Sequence, residues 1–321
     1  MITTDTMLSR IAESLFWLGR YVERADDTAR ILDAYLHRLL EDPWSDEDAA
    51  CRSLHAILGV AVPAEQRCDM DAVLARLAFD AVSPGSIEGA LLAARQNALT
   101  ARDVVSTEMW ETLNSTWHQL AEQRQVARRT GPHVYLGLVR RRAALFFGLA
   151  DSTMSRDDGW RFVVLGRSLE RVDMIARLLA VRVLAAVHAP DWPTLLSASG
   201  AEEAFVRARG AGSDPSGVPG FLLLDRSFPR SVLHALSSAE ECLAELGGGS
   251  ARQRPEPARL AVGRMRTRLE YLDSAELAQL PALLGELQRA CGEATRAVAE
   301  RYFPYDGPIE WSHQSGAPER E

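Results

Sequence analysis

The sequence predicts an all-α protein, a helical bundle built from two duplicated helical halves related by a pseudo-two-fold axis. Three observations predict it. Apolar residues recur at spacings of three and four through most of the 321 residues, no alternating strand run competes with them, and one sixteen-residue stretch occurs twice. "WLGRYVERADDTARIL" at 17–32 returns at 164–179 as "VLGRSLERVDMIARLL", with nine positions identical. Packing alone would keep the apolar letters, yet Gly, Arg, Glu, Arg, Asp and Arg are kept as well.

The first element, over 8–41, places Ile11, Leu15, Leu18, Val22, Ala25, Ala29 and Leu32 on one face. The same spacing predicts helices over 46–59, 69–80, 84–127, 133–150, 158–188, 229–246, 256–272 and 274–302. Breakers separate them: "SPGS" at 83–86, "RTGP" at 129–132, "SRDDG" at 155–159, "APDWP" at 189–193, "GAGSDPSGVPG" at 210–220 and "GGGS" at 247–250. Pro84 and Pro229 each precede a serine and an apolar run, the pattern of a helix start, and Asp80 and Asp225, four residues earlier, are expected to cap. A second repeat supports the duplication: "LAFDAVSPGSIEGALLAA" at 77–94 aligns with "LLLDRSFPRSVLHALSSA" at 222–239. The two pairs are offset by 147 and 145 residues, so a single two-residue length change keeps both in one alignment. The halves are therefore read as 8–150 and 155–302, with a Gly/Pro-rich mobile tail at 303–321.

Composition narrows the function. The net charge of −8 argues against nucleic acid as a partner, because a phosphate backbone is met by a basic surface. Arginine clusters within an acidic chain point instead to a small anion or a carboxylate-bearing ligand. All 36 basic residues are arginine. With no lysine, the chain can supply neither the phosphate-binding lysine of a P-loop nor a Schiff-base amine. Cys51, Cys68, Cys242 and Cys291 form no C-x-x-C pair and read as buried thiols. No apolar run long enough to span a membrane and no signal-like start is seen, so a cytoplasmic location without membrane association is expected.

At about 100° per residue, Arg20, Glu23, Arg24, Asp27 and Arg30 fall on one arc, opposite Leu18, Val22, Ala25 and Ala29. Arg167, Glu170, Arg171 and Arg177 take the same arc in the second copy, where Met174 replaces Asp27; Asp26 and Asp173 sit at its edge. A solvated face of i, i+4 pairs contributes only about 0.2–0.5 kcal/mol per pair and drifts easily. Gly19 and Gly166 lie inside the pattern, where glycine costs about 1 kcal/mol relative to alanine, so a close helix approach or a ligand against the backbone is expected. Two readings stay open: a buried Arg/Glu network at the junction of the halves, or a ligand-binding cleft; they can coincide. A further stripe, Arg95, Arg102 and Ser106 with Asp103 and Trp110 beside it, is read on a helix over 93–114. Its counterpart has Glu240 and Gly247 at the arginine positions, so a site is expected to draw mainly on the first half.

No H-E-x-x-H or G-x-S-x-G occurs, and the only Glu-x-x-His, Glu310 to His313, lies in the tail. No histidine falls on the arc, so no metal and no cofactor are expected.

The stretches "ESLFWLGRYVERADDTARIL", "SPGSIEGALLAARQNALTARDVVSTEMWETLN", "GWRFVVLGRSLERVDMIARLL" and "SFPRSVLHAL" resemble the alpha-E family, an all-helical domain named for its Glu-Arg motif, here Glu23-Arg24 and Glu170-Arg171. The resemblance runs over 8–302. It implies a bacterial system that makes or processes an amide-linked peptide. The implied partners are a circularly permuted ATP-grasp-like ligase protein and, in many cases, a transglutaminase-like peptidase. It carries over no catalytic residue. Met174, "QNALTARD" and the glycine-rich break at 247 depart from the family pattern.

Three function classes follow. The first is an accessory or co-catalytic module that binds the ligase or an anionic peptide ligand through Arg20, Glu23, Arg24, Arg30, Arg95, Arg102, Arg167, Glu170, Arg171 and Arg177. The second is a metal-independent enzyme with Glu23 or Glu170 as base and an arginine anion clamp. The third is a purely structural homo-oligomer in which the arc pairs with itself.

Overall fold

The computed structural model describes residues 9–42, 44, 46–63, 65–184, 191–210, 212–247, 255–272 and 279–304. Among them the chain is all-helical, with no strand. In chain order the helices are α1 (Ser9–Glu41), α2 (Glu47–Ile57), α3 (Met70–Leu77), α4 (Ile87–Thr100), α5 (Thr107–Thr130), α6 (His133–Thr153) and α7 (Asp158–Leu184). They continue with α8 (Trp192–Ser199), α9 (Glu202–Arg209), α10 (Val218–Leu224), α11 (Val232–Leu246), α12 (Pro257–Glu270) and α13 (Leu280–Tyr302).

Local chemistry sets the starts. Asp46, Asp69, Ser86, Ser106, Asp191 and Ser231 each accept a hydrogen bond from the backbone N–H three residues on, satisfying a donor that the first helical turn leaves free. Ser86 and Ser231, not the aspartates before them, cap α4 and α11. Their hydroxyls also donate to the carbonyls of Asp80 and Asp225. The Asp80 and Asp225 carboxylates instead accept from Val82 N and from Ser227 N and Phe228 N, closing the turns that lead into those helices.

Three expectations need correction. The helix read over 84–127 is two, α4 and α5, because the chain turns at 101–105 and Ser106 caps the second. Arg95 and Arg102 are therefore not on one helix line with Ser106. Between and beside the breakers read at 189–193 and 210–220 lie three short helices for which the reading gave no element, α8, α9 and α10; Asp191 and Pro193 start α8, and the αL glycine Gly200 ends it. The last helix begins at Leu280; residues 273–278 and 305–321, and with them almost all of the expected tail, lie outside the described residues.

α1 runs through the centre and packs on α7, α4, α6 and α8, while α7 packs on α1, α11 and α13. Leu15, Leu18, Val22, Ala25, Ala29 and Leu32 are buried as the periodicity requires, against Phe162, Leu165, Leu169 and Val172 of α7 within one core. The opposite, charged side of α1 is buried too: Arg20, Glu23, Asp26, Asp27 and Thr28 all lie inside. α1 and α7 cross at the two glycines. A Cβ on Gly19 would collide with the Val163 carbonyl oxygen, and one on Gly166 with that of Phe16, so only hydrogen fits at either point.

Candidate functional site

The crossing brings the two Glu-Arg motifs face to face, and each glutamate is held by arginines of the other copy. Glu170 accepts from Arg20 Nε at 2.7 Å and from Arg24 Nε and Nη2 at 2.6 and 3.1 Å. Glu23 accepts from Arg171 Nε and Nη2 at 2.6 and 3.2 Å, the same two-pronged geometry in reverse. The remaining guanidinium nitrogens reach backbone: Arg24 Nη1 donates to the Pro84 carbonyl and Arg171 Nη1 to that of Pro229, at 3.4 and 3.2 Å. Arg30 and Arg177 turn back along their own helices to Asp26 and Asp173, one turn earlier. Each lies under a glycine of positive φ, Gly200 for Arg30 and Gly59 for Arg177, where a Cβ would come within 2.8 and 2.9 Å of Nη1.

Burial and charge set the ionisation. Burial raises the Glu170 carboxyl, but Arg20 and Arg24 outweigh it and hold the group down at about 2. Glu23, fully buried, is likewise lowered: Arg171 and Arg230 overcome its desolvation. Burial works against the charged Arg24, and the Glu170 carboxylate more than restores it.

The two copies differ at three points. Arg167, matched to Arg20, does not reach Glu23; its guanidinium stacks on Phe147 at 4.9 Å and approaches Asp151 at 3.7 Å. Burial and then the nearby Arg171 lower its pKa. In its place Arg230, from the turn before α11, reaches Glu23 at 3.1 Å and Asp27 at 2.5 Å and also pairs with Asp26. At the matched positions on the other side stand Gly85 for Arg230 and Met174 for Asp27. There the structure opens into a cleft of about 210 Å³ lined by Arg24, Leu58, Gly85, Glu170, Asp173, Met174 and Arg177. The cleft draws on both halves of the chain, not mainly on the first.

Eight of the ten candidate residues, Arg20, Glu23, Arg24, Arg30, Arg167, Glu170, Arg171 and Arg177, lie on the two crossing helices. Arg95 and Arg102 do not join them: their guanidinium groups lie 5.4 and 5.9 Å from the Trp110 ring, and Arg95 Nε donates to Asn114. Sequence reasoning missed Arg230 and Thr295, the latter accepting from Arg20 Nη1 at 3.0 Å. A signal for Arg230 was present, because Asp27 and Arg230 are lost together in the other copy.

Among the described residues, two groups have ligand atoms close enough for a metal ion: Glu23, Asp26 and Asp27, and Asp33, His37 and His133. Arg230 already sits among the first three. In the second, His133 Nδ1 lies 2.7 Å from Asp33 Oδ1 and Arg140 donates to Oδ2 at 2.8 Å. His133 lies 100 residues from Asp33 in sequence, which hid the cluster. The four cysteines are free and buried. Among the described residues no helix is long and apolar enough to cross a membrane.

Comparison with known proteins finds a family model and relatives. The family model Alpha-E, described as a predicted alpha-helical domain with a conserved ER motif, matches residues 7–303. An uncharacterised protein of Mycobacterium bovis and one of Mycobacterium tuberculosis are each 29% identical to the chain over 331 aligned residues, covering 91% of it. The chain spans only 36% of the length of these relatives. No solved structure matches it.

Proposed function

The chain belongs to the Alpha-E family, and on that premise we propose that it is an accessory or co-catalytic helical module of an ATP-grasp-type amide or peptide ligase system. The observation that carries this reading is the length relation: a unit of this size recurs as about a third of longer chains, joined to further sequence with which it would act. In this reading the partner is a circularly permuted ATP-grasp-like ligase, with a transglutaminase-like peptidase as a second associate, in the cytoplasm. The two halves, 8–150 and 155–302, are a duplicated unit around a pseudo-two-fold axis. The reciprocal Glu170–Arg24 and Glu23–Arg171 pairs support that duplication.

The geometry weighs against the other two classes. A general base needs a carboxyl that takes up a proton near working pH, whereas Glu23 and Glu170 are enclosed and held ionised by guanidinium groups. A self-pairing oligomer needs the arc outside, and most of it is spent within one chain. The test is co-purification of the chain with a circularly permuted ATP-grasp-like ligase protein of the same organism, together with ligase turnover on adding the chain. Stable association with at least a several-fold change in turnover is expected; neither would overturn the reading.

A further inference from the structure

The two sides of the crossing can be compared residue by residue, because the repeat supplies matched positions within one molecule. On one side Glu23, Asp26 and Asp27 face Arg171, Arg30 and Arg230: three carboxyl groups against three guanidinium groups, closely packed. On the other, Glu170 and Asp173 face Arg20, Arg24 and Arg177, two against three. Thr295 of α13 accepts from Arg20, and Cys291, one turn before it, has a thiol pushed up to about 12 by burial. The missing carboxyl is the one Asp27 supplies on the filled side, and the missing volume is that of Arg230. Met174 and Gly85 stand in their places, and the cleft lies against both.

The cleft has the means to hold an anion. Arg177 spends Nε and Nη2 on one oxygen, Asp173 Oδ2, and its side chain is 36% exposed. Arg24 donates to Glu170 through Nε and Nη2 and to the Pro84 carbonyl through Nη1 at 3.4 Å, and its guanidinium lines the cleft, where a ligand carboxylate would share the Nη1 edge. Leu58 and Met174 supply apolar contact beside them. A guanidinium edge next to an apolar wall is the arrangement that takes a carboxylate bearing a short aliphatic stem.

We propose that this cleft binds a carboxylate, either of a small free acid or of a peptide C-terminus, between Arg24 and Arg177, with the ligand's carboxyl taking the place that the Asp27 carboxyl holds on the matched side. The inference deepens the anionic-ligand part of the reading above and needs no ligase to be tested.

The experiment titrates the isotope-labelled full chain with acetate, succinate, L-glutamate, inorganic phosphate and one short peptide as free acid and as C-terminal amide, following backbone amides by NMR. A carboxylate probe is expected to shift the amides of Gly59 and Gly85 saturably. If the source is a chain end, the free-acid peptide binds at least about ten-fold more tightly than its amide; if a small acid, succinate or glutamate leads. The variant Gly85→Arg/Met174→Asp rebuilds the filled side. Gly85 has no positive φ, and a Cβ there meets only Ser83 Oγ, at 3.5 Å, so the arginine has room. This variant is expected to keep its fold and lose binding by at least about ten-fold. Should it not fold, Arg177→Gln is expected to weaken binding to the same extent. Absence of saturable shifts up to millimolar carboxylate, binding by phosphate alone, or unchanged affinity in the variants would overturn the proposal. Carboxylate binding without ligase association would sink only the module reading, and the reverse only the cleft.

Discussion

Asp27 shows what one residue adds to the buried arc. Its Oδ1 meets Arg230 at 2.5 Å, while Oδ2 is buried with no hydrogen-bond partner among the described residues. Burial, together with the neighbouring Glu23 and Asp26, pushes the carboxyl up to about 8 against the pull of Arg230. An unfolded aspartate titrates near 3.9, so between about pH 4 and 8 the folded chain keeps a proton that the unfolded chain has released. Stability from this group is thus fully present below about pH 4 and is lost as pH rises through 8. Glu170 runs the other way: lowered to about 2, its contribution is present above the unfolded value near 4.3 and is lost as pH falls. The difference between wild type and an Asp27 variant, measured from pH 5 to 8 where Glu170 is ionised in both states, therefore isolates Asp27. Asp27→Asn should remove a falling limb worth up to about 1.4 kcal/mol per pH unit; parallel curves for variant and wild type would contradict this.

The helix crossing belongs to the element scale. Gly19 and Gly166 sit mid-helix at a cost of about 1 kcal/mol each, and the cost is offset because each lets the other helix's backbone come into contact. Gly19→Ala should lower stability by about 3 kcal/mol, the upper end for overpacking, since a backbone carbonyl cannot rotate aside. Gly148→Ala, where a Cβ meets nothing within 4 Å, should instead raise it by about 0.5–1 kcal/mol. Urea midpoints of the two variants give the comparison; a similar change in both would contradict the crossing. The glycines were legible because a residue unfavourable to helices was kept twice inside a helical period. The break between α4 and α5 was not, because 101–105 holds no Gly or Pro and only the Ser106 cap ends the run. Likewise α8–α10 are short and sit among prolines and glycines, where periodicity has too few residues to show.

At the scale of the whole molecule, the doubled Glu-Arg motif joins residues about 150 apart in sequence, and that explains why charges as well as apolar letters are kept. Sequence periodicity placed the arc on one face, but a helical projection cannot say whether a charged face meets water or another helix. Here it meets the other copy, so ion pairs that would count for little at a surface are enclosed, where losing one partner leaves a buried charge and costs about 3–5 kcal/mol. Arg230 escaped the reading because it breaks the repeat by adding a guanidinium from a turn, and Arg167, which the reading placed on the arc, breaks it by turning toward Asp151.

The most direct test of this joint is a double-mutant cycle on unfolding free energy with Glu23→Gln and Arg171→Met, set beside a cycle with Glu23→Gln and Arg24→Met. Arg171 holds Glu23 from the other copy, whereas Arg24, its neighbour in sequence, is spent on Glu170. The joint predicts a coupling of about 2 kcal/mol for Glu23 with Arg171 and under about 0.5 kcal/mol for Glu23 with Arg24. A Glu23–Arg171 coupling no larger than that of Glu23–Arg24 would contradict it.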